Sequence, residues 1–183
     1  MDDLILNDEF EWFDQARYDQ RPDKESELEI FLPNGTYIQI MDCKAGGQYT
    51  ATPKDSYFML RKVYYPSGKI WTKGWAYIDF FAKGVWYEFD EGGNLAFKYD
   101  CDAPFTYTFE DVLKFCQRNN IKVEKGYVPP GSGWTTTIKR EADEDRCVWE
   151  IEYLKRFDLL ETIYLDGKTG KVIRRESVKC GLE

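Results

Sequence analysis

Short apolar, aromatic-rich runs recur along this chain, cut by polar turns that hold Gly, Pro, Asn or Asp. The clearest stretch is 60–95. Tyr64-Tyr65 runs into Pro66-Ser67-Gly68 and the chain restarts at Lys69-Ile70; about 24 residues later Trp86-Tyr87-Glu88-Phe89 runs into Asp90-Glu91-Gly92-Gly93-Asn94 and restarts at Leu95. Aromatic runs bounded by glycine-containing turns are the mark of antiparallel hairpins, and their repetition predicts hairpins in tandem. Residues 27–40 read the same way, as two strands around Pro33-Asn34-Gly35, where Asn-Gly supplies the positive φ angles of a tight turn. Tyr37-Ile38-Gln39-Ile40 alternates as a strand with one wet face does.

Gly46-Gly47 and Thr52-Pro53-Lys54-Asp55 read as loops. Further strands are predicted at 57–65, 69–78, 84–90 and 95–99, with Val123–Tyr127 as another candidate. Pro129-Pro130-Gly131-Ser132-Gly133 is a loop and a candidate hinge. After it come strands at 134–140, 147–154, 159–166 and 171–178, the last two joined by the turn Asp166-Gly167-Lys168-Thr169-Gly170.

One segment follows the helical period instead. Phe109, Val112, Leu113 and Cys116 fall at i, i+3, i+4 and i+7. Thr108 is placed to cap the first turn with Asp111 at the capping-box position, and Asn119-Asn120 supplies a left-handed stop. This predicts a helix over 108–119. Residues 1–24 support two readings. Leu4-Ile5-Leu6 starts either a short strand or a helix running through Phe10, Trp12, Phe13 and Ala16, and Arg21-Pro22 ends any regular element.

Together these patterns predict a β-rich α+β protein: tandem antiparallel hairpins, one main helix and a C-terminal antiparallel sheet. The expected organisation is an acidic N-terminal segment (1–26), a hairpin region that includes the helix (27–128) and a C-terminal β region (129–183), separate or in one continuous domain.

Composition narrows the function. At 43% hydrophobic and 17% aromatic, 183 residues carry enough apolar surface to build a core. No apolar run reaches the roughly 20 residues that span a bilayer, and Met1-Asp2-Asp3-Leu4 lacks the basic and apolar regions of a signal peptide. The expectation is a cytoplasmic protein with no membrane partner, or a periplasmic one if a leader once preceded it. Five cysteines (Cys43, Cys101, Cys116, Cys147, Cys180), no histidine and no Cys-x-x-Cys spacing leave no zinc motif. Free thiols are the expectation, and disulfide pairing stays open.

Charge is uneven. Residues 1–29 hold 11 of the 33 acids and three of the 25 bases, leaving 22 of each in the rest. An acidic end on a neutral body is the opposite of a nucleic-acid-binding face. It suits a partner protein with a basic surface. In Asp8-Glu9-Phe10-Glu11-Trp12-Phe13-Asp14 acids alternate with large aromatics. The expected contact residues are Asp8, Glu9, Phe10, Glu11, Trp12 and Asp14, set against the plainer reading in which the aromatics dock on the body and the acids face water.

Catalytic chemistry finds little purchase. Without histidine neither Ser-His nor Cys-His nucleophiles can be built, and no phosphate-cradling glycine loop is present. Glu88 and Asp90 share one strand face as a glycosidase pair would, but such pairs are frequent in an acid-rich chain. Gly68, Gly74, Gly84, Gly92 and Gly93 read as turn and boundary residues, and Trp71, Trp75 and Trp86 as core or cross-strand residues. No enzyme, cofactor or metal is expected.

The two hairpins at 65–70 and 84–95 resemble the MORN-type repeat, in which Tyr-x-x-Gly hairpins alternate with Gly-x-Trp-x-x-Tyr/Phe-Asp hairpins. Phe31-Leu32-Pro33-Asn34-Gly35 resembles a decayed further copy, and the apolar stretch Trp75–Ala82 departs from the pattern. Val148–Tyr153 with Glu161–Ile173 is similar to the hairpin of PepSY-like domains. The first resemblance implies a bacterial antitoxin or immunity protein and the second an inhibitory or chaperone-like binding module. The expected function is therefore the neutralisation of a cognate toxin by occluding its active site; the alternative is a structural, envelope-associated repeat protein.

Overall fold

The computed structural model describes residues 4–23, 27–78, 80–144 and 146–180, except the Cys43 side chain. The chain forms two compact units: one from the chain up to Cys101 together with Lys125–Tyr127, the other from Asp102–Glu124 and the chain from Val128 onward. The fold class is the expected β-rich α+β. The helix, expected within the hairpin region, stands in the unit of the C-terminal sheet.

The first unit is an antiparallel meander of β1 (Leu28–Phe31), β2 (Tyr37–Cys43), β3 (Gly46–Thr52), β4 (Met59–Tyr64), β5 (Ile70–Tyr77), β6 (Phe81–Phe89) and β7 (Leu95–Asp100), arranged in sequence order. One face of β1–β4 buries Leu28, Ile38, Ile40, Ala51 and Leu60 under Leu4, Leu6, Phe13 and Tyr18. The core continues through Tyr64, Ile70 and Phe89.

Two stretches differ from expectation. Gly46-Gly47 was expected to loop, yet both open β3, which pairs with β2 along its whole length and with β4 through Gln48-Tyr49-Thr50-Ala51. The turn is made by Lys44-Ala45 alone. β6 also starts earlier than expected, because the apolar stretch 75–82 is itself a hairpin in which Tyr77 faces Phe81. Val123–Tyr127 forms no strand.

Three of the turns share one geometry. Leu32, Tyr65 and Asp90 each accept a bond from the glycine three residues on, at 2.8, 2.9 and 2.9 Å, and each donates to the residue beyond it, Thr36, Lys69 and Asn94. The glycines Gly35, Gly68 and Gly93 have φ of 82°, 82° and 88°. This is the three-residue hairpin loop, a turn followed by one left-handed residue that a side chain would strain. At Asn34-Gly35 only the glycine takes positive φ, so the tight turn has one left-handed position where Asn34 and Gly35 were both expected to supply one.

In the second unit β8 (Thr137–Ala142), β9 (Cys147–Arg156), β10 (Leu159–Asp166) and β11 (Val172–Lys179) form a sheet in the order β11-β10-β9-β8. Among the described residues the two helices are the one-turn α1 (Gln15–Tyr18) of the first unit and α2 (Phe109–Arg118). The start of α2 is as expected. Thr108 Oγ1 accepts from the Asp111 amide at 3.3 Å, Asp111 Oδ2 accepts from the Thr108 amide at 3.2 Å, and Asn120 stops the helix with φ 56°. Phe109, Val112 and Cys116 are buried.

Trp149 holds this unit together. Its indole donates to the Tyr107 carbonyl at 2.9 Å, and its ring lies 5.0 and 6.2 Å from those of Phe105 and Phe109. Cys116, Cys147 and Cys180 are free thiols, and burial pushes the Cys116 thiol up to about 12, which leaves it no nucleophilic thiolate at neutral pH. Among the described residues no helix is long and apolar enough to cross a membrane.

Candidate interaction surface

The N-terminal segment is neither the strand nor the long helix that its sequence offered. It runs in irregular extended form along the end of the sheet where the β2–β3, β4–β5 and β6–β7 turns lie. The glycines of those turns are its seats. A Cβ on Gly47 would come within 2.6 Å of the Phe13 ring, and one on Gly93 within 2.9 Å of the Phe10 ring. Between them Phe13 and Trp12 lie over Gly68 at ordinary contact distance. Backbone bonds fix the register: the Phe13 amide donates to Gly68 at 2.8 Å, the Ile70 amide donates to Glu11 at 3.0 Å, and Trp12 bridges to Lys69. Of the repeat glycines, Gly68, Gly92 and Gly93 are turn residues, as expected, whereas Gly74 and Gly84 lie inside β5 and β6; Gly68 and Gly93 also clear the surface on which the aromatic segment rests.

Glu11 is the inward anchor. Its carboxylate accepts from Lys62 Nζ at 2.6 Å and from Lys73 Nζ at 2.8 Å. Lys73 lies in the middle of β5 and is 1% exposed. Its ammonium also donates to the Glu9 carbonyl at 2.6 Å and to Asn7 Oδ1 at 3.3 Å, and lies 5.4 Å from the Phe89 ring. A buried ammonium persists only where acceptors replace its water, and here three come from the N-terminal segment. Burial, reinforced by the charges of Glu11, Tyr49 and Asp14, holds the Tyr64 phenol well above its usual range, so it stays a neutral hydroxyl. A cavity of about 270 Å³ lies beside these groups, bordered by Tyr49, Tyr64, Arg17 and Asp14.

The six expected contact residues divide. Glu11 and Asp14 turn inward: Asp14 Oδ1 accepts from the Arg17 amide at 3.0 Å and caps α1. Asp8, Glu9, Phe10 and Trp12 are exposed, with Trp12 at 59%. Phe10 and Trp12 meet edge to face at 5.4 Å, and Lys69 Nζ lies 5.9 Å from the Trp12 ring. Asp8 stands 3.9 Å from Lys98 Nζ of β7, a distance at which both side chains remain hydrated. The plainer reading, aromatics in and acids out, holds for Phe13 and for the acids Asp8 and Glu9 but is reversed at Glu11 and Trp12.

The other sequence candidates are absorbed by structure. Asp90 sits in the β6–β7 turn, one residue beyond β6, where the Asn94 amide and side chain bond its carboxylate and lower its pKa. Trp86 is buried over Gly74 and donates to the Trp75 carbonyl at 2.8 Å. Trp71 is exposed and stacks on Tyr65. Among the described residues no group of His, Cys, Asp or Glu is placed to hold a metal ion.

One buried carboxylate escaped the sequence reading. Glu161 of β10 accepts from Lys155 at 2.6 Å, Tyr153 at 2.7 Å and Arg175 at 3.0 Å. Burial raises its pKa, and the bonds from Lys155 and Tyr153 with the Lys155 and Arg175 charges outweigh that, so the net shift is downward. A depressed folded-state value stabilises the fold above the unfolded value and is lost as pH falls through the folded one. The second unit is therefore expected to weaken as pH drops below about 4.3, the ordinary Glu value. Glu161→Gln should flatten that dependence in denaturation midpoints measured between neutral and acid pH.

Comparison with protein-family models, with curated proteins and with solved structures gave no significant match.

Proposed function

We propose that this chain is a non-catalytic antitoxin or immunity protein that covers the active site of a cognate toxin, using Asp8, Glu9, Phe10 and Trp12 against a basic surface. The observation that carries this reading is the outward display of two acids and two aromatics on a segment pinned from below by Glu11. Pinning lowers the ordering cost that a flexible segment incurs on binding. Aromatic anchors dominate protein interfaces energetically, and acids at the rim steer a basic partner. The MORN-like hairpins support the same reading through what that resemblance implies.

The test uses the purified product of the gene immediately upstream. Asp8→Lys with Glu9→Lys is expected to slow association about tenfold at low salt, with dissociation little changed. Trp12→Ala is expected to speed dissociation about 30-fold, the equivalent of about 2 kcal/mol. All three side chains are exposed, so the fold should survive. Neutralisation by these variants at parental strength would refute the assignment of the surface. An upstream product that neither binds nor is inhibited would refute the toxin reading itself.

A further inference from the structure

We infer that the face of β5–β7 turned away from the N-terminal segment is a docking surface for an arginine side chain of a basic protein partner, received by the Glu88 carboxylate among aromatic rings. This goes beyond the toxin reading. Lys98, the contact of Asp8, stands on the opposite face of β7, and the surface can be tested with no toxin present.

Register builds the surface. Val63 of β4, Thr72 of β5, Glu88 of β6 and Phe97 of β7 face one another in turn, so their side chains make one row on one face. Lys73, Tyr87 and Lys98 make the neighbouring row on the other face, where the N-terminal segment lies. Two residues along from Glu88 and Phe97, Trp86 pairs with Tyr99. The pairing shifts between Glu88 and Phe89, which leaves Ala96 as a bulge and sends Leu95 to the N-terminal side. Phe97 and Tyr99 are 63% and 45% exposed, and among the described residues no other ring packs on either. Beside them Trp71, also exposed, stacks on Tyr65 with ring centroids 5.7 Å apart.

Glu88 is the unusual member. It is half-buried, yet among the described residues no donor reaches its carboxylate. A carboxylate drawn partly out of water with no replacement donor costs stability, and the fold gains no bond from it. The charge around it is one-sided. Burial first, then the charges of Glu91, Glu88 and Asp90, hold the Tyr65 phenol above its usual range, and no cation offsets them. Burial, Cys101 and Glu88 do the same at Tyr99. The nearby cations are turned elsewhere: Arg61, opposite Gly74, donates to Gln48 Oε1 at 3.4 Å, and Lys69 Nζ donates to the Glu91 carbonyl at 2.8 Å.

Exposed rings around an unpaired carboxylate select the occupant. Ring faces attract cations, arginine more often than lysine. The guanidinium is planar, weakly hydrated and forked, so it can lie on a ring while two of its N–H groups meet the two oxygens of Glu88. An ammonium supplies the charge without the fork. The same acids repel nucleic acid and anionic lipid, and a neutral apolar partner would bury Glu88 with no donor at all.

The test is a titration of the full chain, followed by amide NMR, with a glycine-serine peptide that carries one central arginine and is blocked at both ends. Shifts are expected at Glu88, Phe97 and Tyr99, saturating at about millimolar peptide. The peptide with citrulline, which keeps the shape and loses the charge, should bind about tenfold more weakly. Glu88→Gln should weaken the arginine peptide about tenfold and Phe97→Ser about threefold. Because Glu88 bonds to nothing in the fold, Glu88→Gln should keep the urea midpoint or raise it. Blocked arginine alone should bind more weakly than the peptide. Equal binding of blocked arginine would give the site to a free small cation and overturn the proposal. No saturable shift, equal binding of the citrulline peptide, shifts confined to Asp8–Trp12, indifference to Glu88→Gln or a lowered midpoint in that variant would overturn it as well. None of these results bears on the upstream product, so the toxin reading stands or falls separately.

Discussion

Glu11→Ala is expected to destabilise the first unit by about 3 kcal/mol, the scale on which breaking a buried ion pair by removing one partner is felt. The cost falls on Lys73, which is left inside the sheet with the Glu9 carbonyl and Asn7 as its remaining acceptors. Lys73→Met removes the buried charge altogether, and an apolar replacement of a buried ion pair is often close to neutral. The pair Glu11→Ala with Lys73→Met should therefore cost less than the sum of the two single changes. Urea midpoints for the four proteins give the coupling energy directly. Amide exchange should localise the loss to β4 and β5. A purely additive cycle would show that Lys73 is satisfied by the backbone carbonyl and Asn7 alone. Because Glu11 is structural in this sense, charge reversal there tests the fold and not the contact surface, which is why the binding variants are placed at Asp8 and Glu9.

Trp149→Ala is expected to have the larger effect on stability, about 4 kcal/mol on the second unit. The indole is fully buried among Phe105, Phe109 and the Arg140 guanidinium, which lies 5.4 Å from its ring. Its removal opens a cavity under α2 and strips the Tyr107 carbonyl of its donor. Trp149→Phe should recover part of the packing but not the hydrogen bond. With domain stabilities of only about 5–15 kcal/mol, the alanine variant should expose the amides of α2, β9 and β10 to exchange while β2 and β3 of the first unit keep their protection. Equal loss in both units would show that they unfold as one.

What could be read from the chain depended on the range of the forces involved. The helix was legible because its cap, its apolar stripe and its stop lie within 13 residues, Thr108 to Asn120. The hairpins were legible for the same reason: turn and flanking strands are adjacent in sequence. β3 was obscured by Gly46-Gly47, a pair that reads as a loop until Phe13 is seen to need the empty space above Gly47. The inward turn of Glu11 had no local signal, since its lysines lie 51 and 62 residues away. The nearest hint was Lys73 itself, a charge in the middle of an apolar strand. Glu161 was hidden in the same way, its partners brought to it by strand register. Of the two expected contact residues that turn inward, Asp14 has a local partner in the Arg17 amide, and Glu11 required the sheet.

The seating of the N-terminal segment on the turns also sets a gauge. Turns on one end of a meander recur every second strand, a spacing of about 9.6 Å. The seats of Phe10 and Phe13, at Gly93 and Gly47, lie two such steps apart with Gly68 between them. Three residues of extended chain cover only about 10 Å, so the two rings reach their seats by splaying away from each other. The two residues between the rings are left to point one inward as Glu11 and one outward as Trp12, and Asn7, further upstream, is polar and turns to Lys73. The row of aromatic seats ends where the sheet ends, at the turn that leads into β7.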